Sequence, residues 1–308
     1  MASLRSFIVR EITHQYMKRQ WIQPKSDGSR ARKNLAETRR DFERRMSILP
    51  PAANVRFQRE RVAGVDCEWH VPKGCDDSPL IYYLHGGGFI AGGPGTHRRL
   101  VSRIASEAQM RAILPDYRLS PENPFPAALE DSLTVWRTLL NRGEDPMRIA
   151  IGGDSAGGNL SVATILSLRD AGKQLPKACF LMSPWLDLAG EGESYQTRLT
   201  ADPWFRPEQV KAVAARYCDE SELRKPLVSP VHADAAGFPS TLIQVGDDEI
   251  LLSDSTRLAE NIETAAGQVD LHIYPKMWHV FQYFIGQMPE SQEALTEITR
   301  FLQSEVRE

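Results

Sequence analysis

The sequence predicts an α/β fold, a mainly parallel central sheet flanked by helices, and three observations predict it. From residue 80 onward, short apolar runs alternate with segments of helical periodicity, the pattern of parallel strands joined by crossover helices. The runs LIYYLHG, RIAIGGD and ACFLMSPW are apolar at most positions, as strands covered on both faces are. Two stretches, residues 1–50 and about 185–225, stand outside this rhythm.

Residues 3–20 read as an amphipathic helix, because Leu4, Phe7, Ile8, Ile12, Tyr16 and Met17 recur at helical spacing. Residues 34–48 form a second helix, stopped by Pro50 and Pro51, with PKSDGSRARK as a turn-rich connector before it. VRFQRERV and VDCEWHV alternate like antiparallel strands about an Ala63-Gly64 turn. LIYYLHG is then a buried strand, THRRLVSRIASEAQ a helix, RAILPDY a strand and PAALEDSLTVWRTLLN a helix. RIAIGGD, SAGGNLSVATILSLRDAG and ACFLMSPW continue as strand, helix and strand. TLIQVGD, residues 253–266, VDLHIYP and residues 290–305 complete the alternation. Residues 185–225 hold Trp185, Tyr195, Trp204 and Phe205 without a clear strand and read as an inserted lid.

Composition bounds the function classes. With 308 residues, 42% hydrophobic and 25% charged, the chain buries a large core without covalent staples. Cys67, Cys75, Cys179 and Cys218 form no metal-ligand spacing, so they read as reduced, mostly buried thiols, with a Cys67–Cys75 disulfide as the alternative. The N-terminus has charges in every apolar run and no cleavage site, unlike a secretory signal. No run reaches the length of a membrane span. A soluble cytoplasmic protein is expected. Residues 1–45 hold twelve Lys/Arg against five Asp/Glu, net +7; with −3 for the whole chain, the remainder carries −10. This basic arm reads as helices docked on an acidic body rather than as a nucleic-acid or lipid contact, since no nucleic-acid motif accompanies it.

The chemistry concentrates in four places. Gly153-Asp154-Ser155-Ala156-Gly157 sits between an apolar strand and a helix. A strand that turns abruptly into a helix strains the serine backbone and lifts Ser155 above the sheet as a nucleophile at a helix N-terminus. His85-Gly86-Gly87-Gly88-Phe89 ends a strand 70 residues earlier. Backbone N–H groups free of side chains suit a developing oxyanion, and those of Gly87, Gly88 and Ala156 are the candidates. No Lys-Ser/Thr ending follows the glycines, which argues against a phosphate cradle. His279 lies on a loop just past a strand and suits the general base. The acid belongs between them, where Asp247, Asp248, Glu249 and Asp254 follow a strand. Asp248 is preferred, Asp247 competes, Glu249 is the outsider, and Asp254 reads as a helix N-terminal residue. Phe89 and Trp185 are placed at the substrate pocket; Trp21, Trp204, Phe205 and Trp278 are further aromatics for pocket or packing. No metal or cofactor is predicted.

Together HGGGF, DYRLSPENPFPAALED, GDSAGGNL, the acid loop and the histidine loop resemble the bacterial hormone-sensitive-lipase-like carboxylesterases, over roughly residues 55–305. The resemblance implies an α/β-hydrolase fold with residues 1–50 as an N-terminal helical cap, residues 51–308 as the catalytic domain and a second cap element at about 185–225. It implies a serine carboxylesterase acting on short to medium acyl esters through an acyl-serine, with Gly87, Gly88 and Ala156 as oxyanion donors. Where the family reads Asp-Pro-Leu this chain has Asp248-Glu249-Ile250, which favours Asp248. Where the family reads His-Gly-Phe it has His279-Val280-Phe281. Asp116, Tyr117 and Arg118 match a motif that braces the oxyanion loop. The resemblance also implies a homodimer through an edge strand. A lactone hydrolase or amidase on the same triad, and a non-catalytic receptor, are the alternatives; such receptors lose the histidine, which is present here.

Overall fold

The computed structural model describes residues 2–20, 28–46 and 49–306, with the side chains of 13–20, 28–34 and 45 outside the description. Trp21 lies outside the described residues, as do the side chains of Tyr16 and Met17. Two helices, α1 (Leu4–Gln20) and α2 (Gly28–Met46), precede the sheet. The second starts six residues earlier than expected, inside the connector. Arg30, Ala31, Arg32 and Lys33 are good helix formers, and their propensity outweighs the turn signal ahead of them.

Eight strands follow: β1 (Val55–Val62), β2 (Val65–Pro72), β3 (Leu80–Leu84), β4 (Arg111–Pro115), β5 (Ile149–Asp154), β6 (Ala178–Met182), β7 (Ser240–Gly246) and β8 (Val269–Tyr274). They lie in the order β1-β2-β4-β3-β5-β6-β7-β8. The first two form an antiparallel hairpin turned at Ala63 and Gly64, both at positive φ, the geometry that matches strand twist in a two-residue turn. From β4 to β8 every pairing is parallel.

Period-two alternation then sorts side chains to the two faces. Tyr82 and Leu84 of β3 pack under α4 (Ala127–Asn141), α5 (Ala156–Asp170) and α8 (Leu252–Thr264), while Ile81 and Tyr83 pack under α3 (Pro94–Ala108) and α9 (Pro289–Glu305). Helix α5 is buried on nearly every side, and its buried Asn159, Ser161 and Thr164 are hydrogen-bonded inside the protein. All four cysteines are free and buried; burial pushes the Cys67 thiol up to about 12, which keeps it protonated and poorly reactive.

Between β6 and β7 the chain forms short α6 (Ser194–Thr197) and α7 (Pro207–Tyr217) and no strand. Val210, Ala214 and Tyr217 turn inward. Tyr217 stacks on Phe89 at 3.8 Å, and a Cβ placed on Gly88 would lie 2.9 Å from Val213. This segment therefore lies directly over the glycine loop that follows β3.

Candidate active site

The C-terminal ends of β5, β6, β7 and β8 are neighbours, and each carries one functional side chain. After β5 comes Ser155 at φ 52°, ψ −123°, a conformation that costs an L-residue about 1–3 kcal/mol. It persists because the chain must leave a buried strand and enter α5 within one residue. The Ser155 N–H donates to Met182 O at 3.0 Å, and Ser155 O accepts from Trp185 N–H at 3.0 Å. The turn tolerates no bulk: a Cβ on Gly157 would sit 2.0 Å from Leu84 O.

The glycine loop leaves β3 with Gly87 at φ 123°, Gly88 at 63° and Phe89 at 60°. Its conformation is held from beneath. Asp154 Oδ1 accepts from Gly86 N–H at 3.0 Å and from Tyr83 O–H at 2.7 Å, and lies 3.2 Å from His97 Nε2. Burial alone would raise the Asp154 carboxyl; His97, Tyr83 and Gly86 outweigh it and hold it below the usual range. Tyr117 donates to His85 O at 2.5 Å and stacks on the His85 ring at 4.1 Å, so the Asp-Tyr-Arg segment does brace this loop. Burial, and next the neighbouring His97, push His85 down to about 3, leaving a neutral packing residue.

After β8, His279 is buried, and its Nδ1 lies 3.0 Å from Glu249 Oε2. The other Glu249 oxygen accepts from Ser183 Oγ at 2.8 Å and from Gly246 N–H at 2.6 Å. Ser183 Oγ in turn accepts from Val280 N–H at 3.0 Å. Ser183, just past β6, thus fixes the acid and the histidine loop together; no motif marks it in the sequence.

The expectation of Asp248 is corrected by this geometry. Its carboxylate turns away from His279 to Arg10 of α1 at 2.6 Å, while Asp247 Oδ1 accepts from Lys276 N–H. Adjacent acids on a tight turn project to different sides, and neither spacing nor motif alignment resolves one residue. At this departure from Asp-Pro-Leu the carboxylate that faces His279 lies one position after Asp248.

A fully buried carboxylate, Asp202, binds the next layer. Its Oδ1 accepts from Trp204 N–H at 2.6 Å and Phe205 N–H at 2.9 Å, and its Oδ2 from Ile250 N–H at 2.8 Å. Phe205 and Trp204 meet the His279 ring edge-on at 4.8 and 6.1 Å. Burial, opposed by the three N–H donors, pushes Asp202 up to about 6. Phe89 is buried, 6.4 Å from the Trp185 ring, and Trp185 is tied to Ser155 through its backbone. Trp278 packs instead with Met277 and Phe281.

Elsewhere, Asp187, Glu191 and His232 bring possible ligand atoms within 4.8 Å of one another. Asp187 is already taken by Gly190, Glu191 and Gly192 N–H groups and by Arg257 at 2.6 Å, a cation that balances it without a metal. A surface cavity of about 360 Å³ lined by Pro146, Met147 and Lys177 lies where β5 and β6 begin, at the opposite end of the strands from Ser155.

Residues 81–283 match a family model described as the alpha/beta hydrolase fold. The chain is 39% identical over 237 residues to an acetyl-hydrolase of Streptomyces hygroscopicus, covering 77% of this chain and 79% of that protein. It is 38% identical over 258 residues to an esterase of Acinetobacter venetianus, covering 83% and 85%. In three dimensions it is similar to an esterase of the bacterial hormone-sensitive lipase family, with a TM-score of 0.91, 37% identity and full coverage of both chains. The chain belongs to this family of α/β hydrolases and is a carboxylesterase.

Proposed function

We propose that ester hydrolysis here runs through an acyl-enzyme on Ser155, with His279 as base and then acid, Glu249 as the carboxylate that orients it, and Gly87, Gly88 and Ala156 as oxyanion donors. The observation that carries this reading is the buried Glu249–His279 hydrogen bond on the same sheet rim as the strained Ser155. With Nδ1–H committed to Glu249, Nε2 is the nitrogen left to take a proton. His279 removes the Ser155 hydroxyl proton as Oγ attacks the ester carbonyl carbon, and the carbonyl electron pair moves to oxygen. The tetrahedral oxyanion is held by the glycine-loop and Ala156 N–H groups, each donor worth about 2.7–4 kcal/mol of barrier. Collapse breaks the bond to the alcohol, which leaves with the proton from His279. Water, deprotonated by His279, then attacks the acyl carbon, and Ser155 departs with that proton.

The substrates in this reading are short to medium acyl esters. Phe89, stacked on Tyr217 beside Trp185, supplies an apolar wall, and α7 closes over the glycine loop. A similar structure, 34% identical at a TM-score of 0.90, is of EstE5 soaked with p-nitrophenyl butyrate. Residues 1–50 and the element at about 185–225 within the catalytic domain 51–308 act as a two-part cap over the active site. The protein works in the cytoplasm; among the described residues no helix is long and apolar enough to cross a membrane. It pairs as a homodimer through β8, the edge strand on which Ile273 is 44% exposed, and light scattering on the purified chain tests that.

Initial rates on p-nitrophenyl acetate, butyrate, octanoate and laurate test the chemistry. Short chains should turn over fastest, and Ser155→Ala should lower the rate by about 10⁶-fold. Full activity in the variant removes Ser155 as nucleophile, and laurate outrunning acetate removes the short-chain reading.

A further inference from the structure

The segment between β6 and β7 reaches the acid of the site from the far side of its loop. Asp202 lies in that segment and is completely buried. Its Oδ1 accepts from the Trp204 and Phe205 N–H groups, a turn that an asparagine side chain would cap equally well. Its Oδ2 does what an asparagine cannot do at the same time: it accepts from the Ile250 N–H at 2.8 Å. An amide would turn its NH₂ toward that N–H, donor against donor. Burying a carboxylate costs free energy that an amide would largely avoid, so the second oxygen is where the acid is needed.

Ile250 follows Glu249 directly, and the N–H it offers belongs to the same peptide as the Glu249 carbonyl. Ile250 is itself completely buried, and its own carbonyl accepts from the Ser194 hydroxyl at 2.5 Å, again from the segment between β6 and β7. On the other side of Glu249, the Asp248 N–H donates to Met277 O at 3.0 Å, two residues ahead of His279. The backbone of Glu249 is therefore slung between a peptide tied to the histidine loop and a peptide tied to the inserted segment. Ser183 and Gly246 hold one carboxylate oxygen, and the other faces His279. Displacing a positioned group by about 1 Å can cost about 10²-fold in rate, so the anchor on the Ile250 side bears directly on the chemistry. The same Asp202 carboxylate also fixes the turn whose Phe205 and Trp204 rings meet His279 edge-on.

We propose that Asp202 is a positioning residue for ester hydrolysis: it fixes the Ile250 peptide and through it keeps Glu249 aimed at His279. The inference rests on the reading of Glu249 as the acid of the triad. It also makes the segment between β6 and β7 part of the acid's support as well as a cover over the glycine loop.

The experiment is a double-mutant cycle on p-nitrophenyl acetate with wild type, Asp202→Asn, Glu249→Gln and the pair combined. Asparagine keeps the turn at Trp204 and Phe205 and breaks the bond to Ile250. Asp202→Asn alone should lower kcat by about 10- to 100-fold with KM changed by less than about twofold. In the Glu249→Gln background the same substitution should lower kcat by less than about threefold, because no aimed acid is left to lose. An equal fall in both backgrounds, a change confined to KM, or an unchanged kcat in the single variant overturns the proposal. A near-wild-type kcat in Glu249→Gln would instead remove the catalytic reading, and the inference with it. If Asp202→Asn does not fold, Ser194→Ala reads the same residue from its carbonyl side. It should lower kcat by about 3- to 10-fold in the wild type and leave Glu249→Gln unaffected, and equal falls in the two would again overturn the proposal.

Discussion

The rim of the sheet and the N-terminal arm are built on opposite principles. At the rim, Ser183, Glu249, His279 and Asp202 are all buried, and each is held by hydrogen bonds from which water is excluded. In the arm, Arg10 and Arg39 add partly solvated contacts to the packing of Ser6 and Val9. Arg39 of α2 reaches Ile90 O at 2.7 Å, just past the glycine loop, and pairs with Glu122 at 2.8 Å. These arginines are about a quarter exposed. A buried hydrogen bond costs heavily when one partner is lost, whereas a partly solvated ion pair contributes about 0–1 kcal/mol and is screened by salt. The rim is therefore a fixed device, and the arm is an attachment that can loosen without disturbing it.

The sharpest test of this contrast sets Glu249 against its neighbour. Glu249→Gln should lower kcat by about 10³–10⁴-fold, because the wrong histidine tautomer is then held. Asp248→Asn should change kcat by less than about fivefold, since it loses only the bond to Arg10. The reverse ranking would return the acid to Asp248 and dissolve the distinction between rim and arm.

Asp202 provides the next largest effect, on stability. Its folded carboxyl is raised to about 6 from 3.8, so the native state binds the proton more tightly than the unfolded chain. That contribution is fully present below about pH 4 and is lost as pH rises through about 6, a change of about 3 kcal/mol. Urea unfolding across this window should show the slope in the wild type and a flatter one in Asp202→Asn. Identical slopes would mean another group carries it.

Ser183→Ala removes one donor to Glu249 and strands the Val280 N–H. A loss of about 1–3 kcal/mol corresponds to a fall of about 5- to 150-fold in kcat, with KM for p-nitrophenyl acetate unchanged. A change confined to KM would show that Ser183 shapes the pocket instead. Arg10→Ala, the smallest effect, should lower Tm by about 2 °C, and high salt should shrink the difference between variant and wild type. A large salt-insensitive loss would place α1 in the core after all.

Much of this molecule was legible from residues 80 to 305, because strands buried on both faces leave dense apolar runs and the crossover helices leave a different period. The glycine loop, Ser155 and His279 were legible because each sits where a strand must end. Ser183 and Asp202 were not, since a buried polar residue that serves another loop carries no periodic signal. The arm was legible as helices docked through basic residues, but not in its orientation, for a related reason. Helical spacing shows that Leu4, Phe7, Ile8 and Ile12 share a face, but it does not say which way that face turns.

The sequence by itself determined the order of the elements, the strained turn at Ser155 and the strand ends at which functional groups appear, because these follow from local periodicity and backbone sterics. Only the tertiary structure decided that Glu249 rather than Asp248 meets His279, that Ser183 and Asp202 hold the loops, and that α1 turns one apolar face to solvent. Those outcomes depend on distances between segments far apart in the chain, and a one-residue difference in a turn, or a half-turn of a helix about its axis, leaves no trace in spacing.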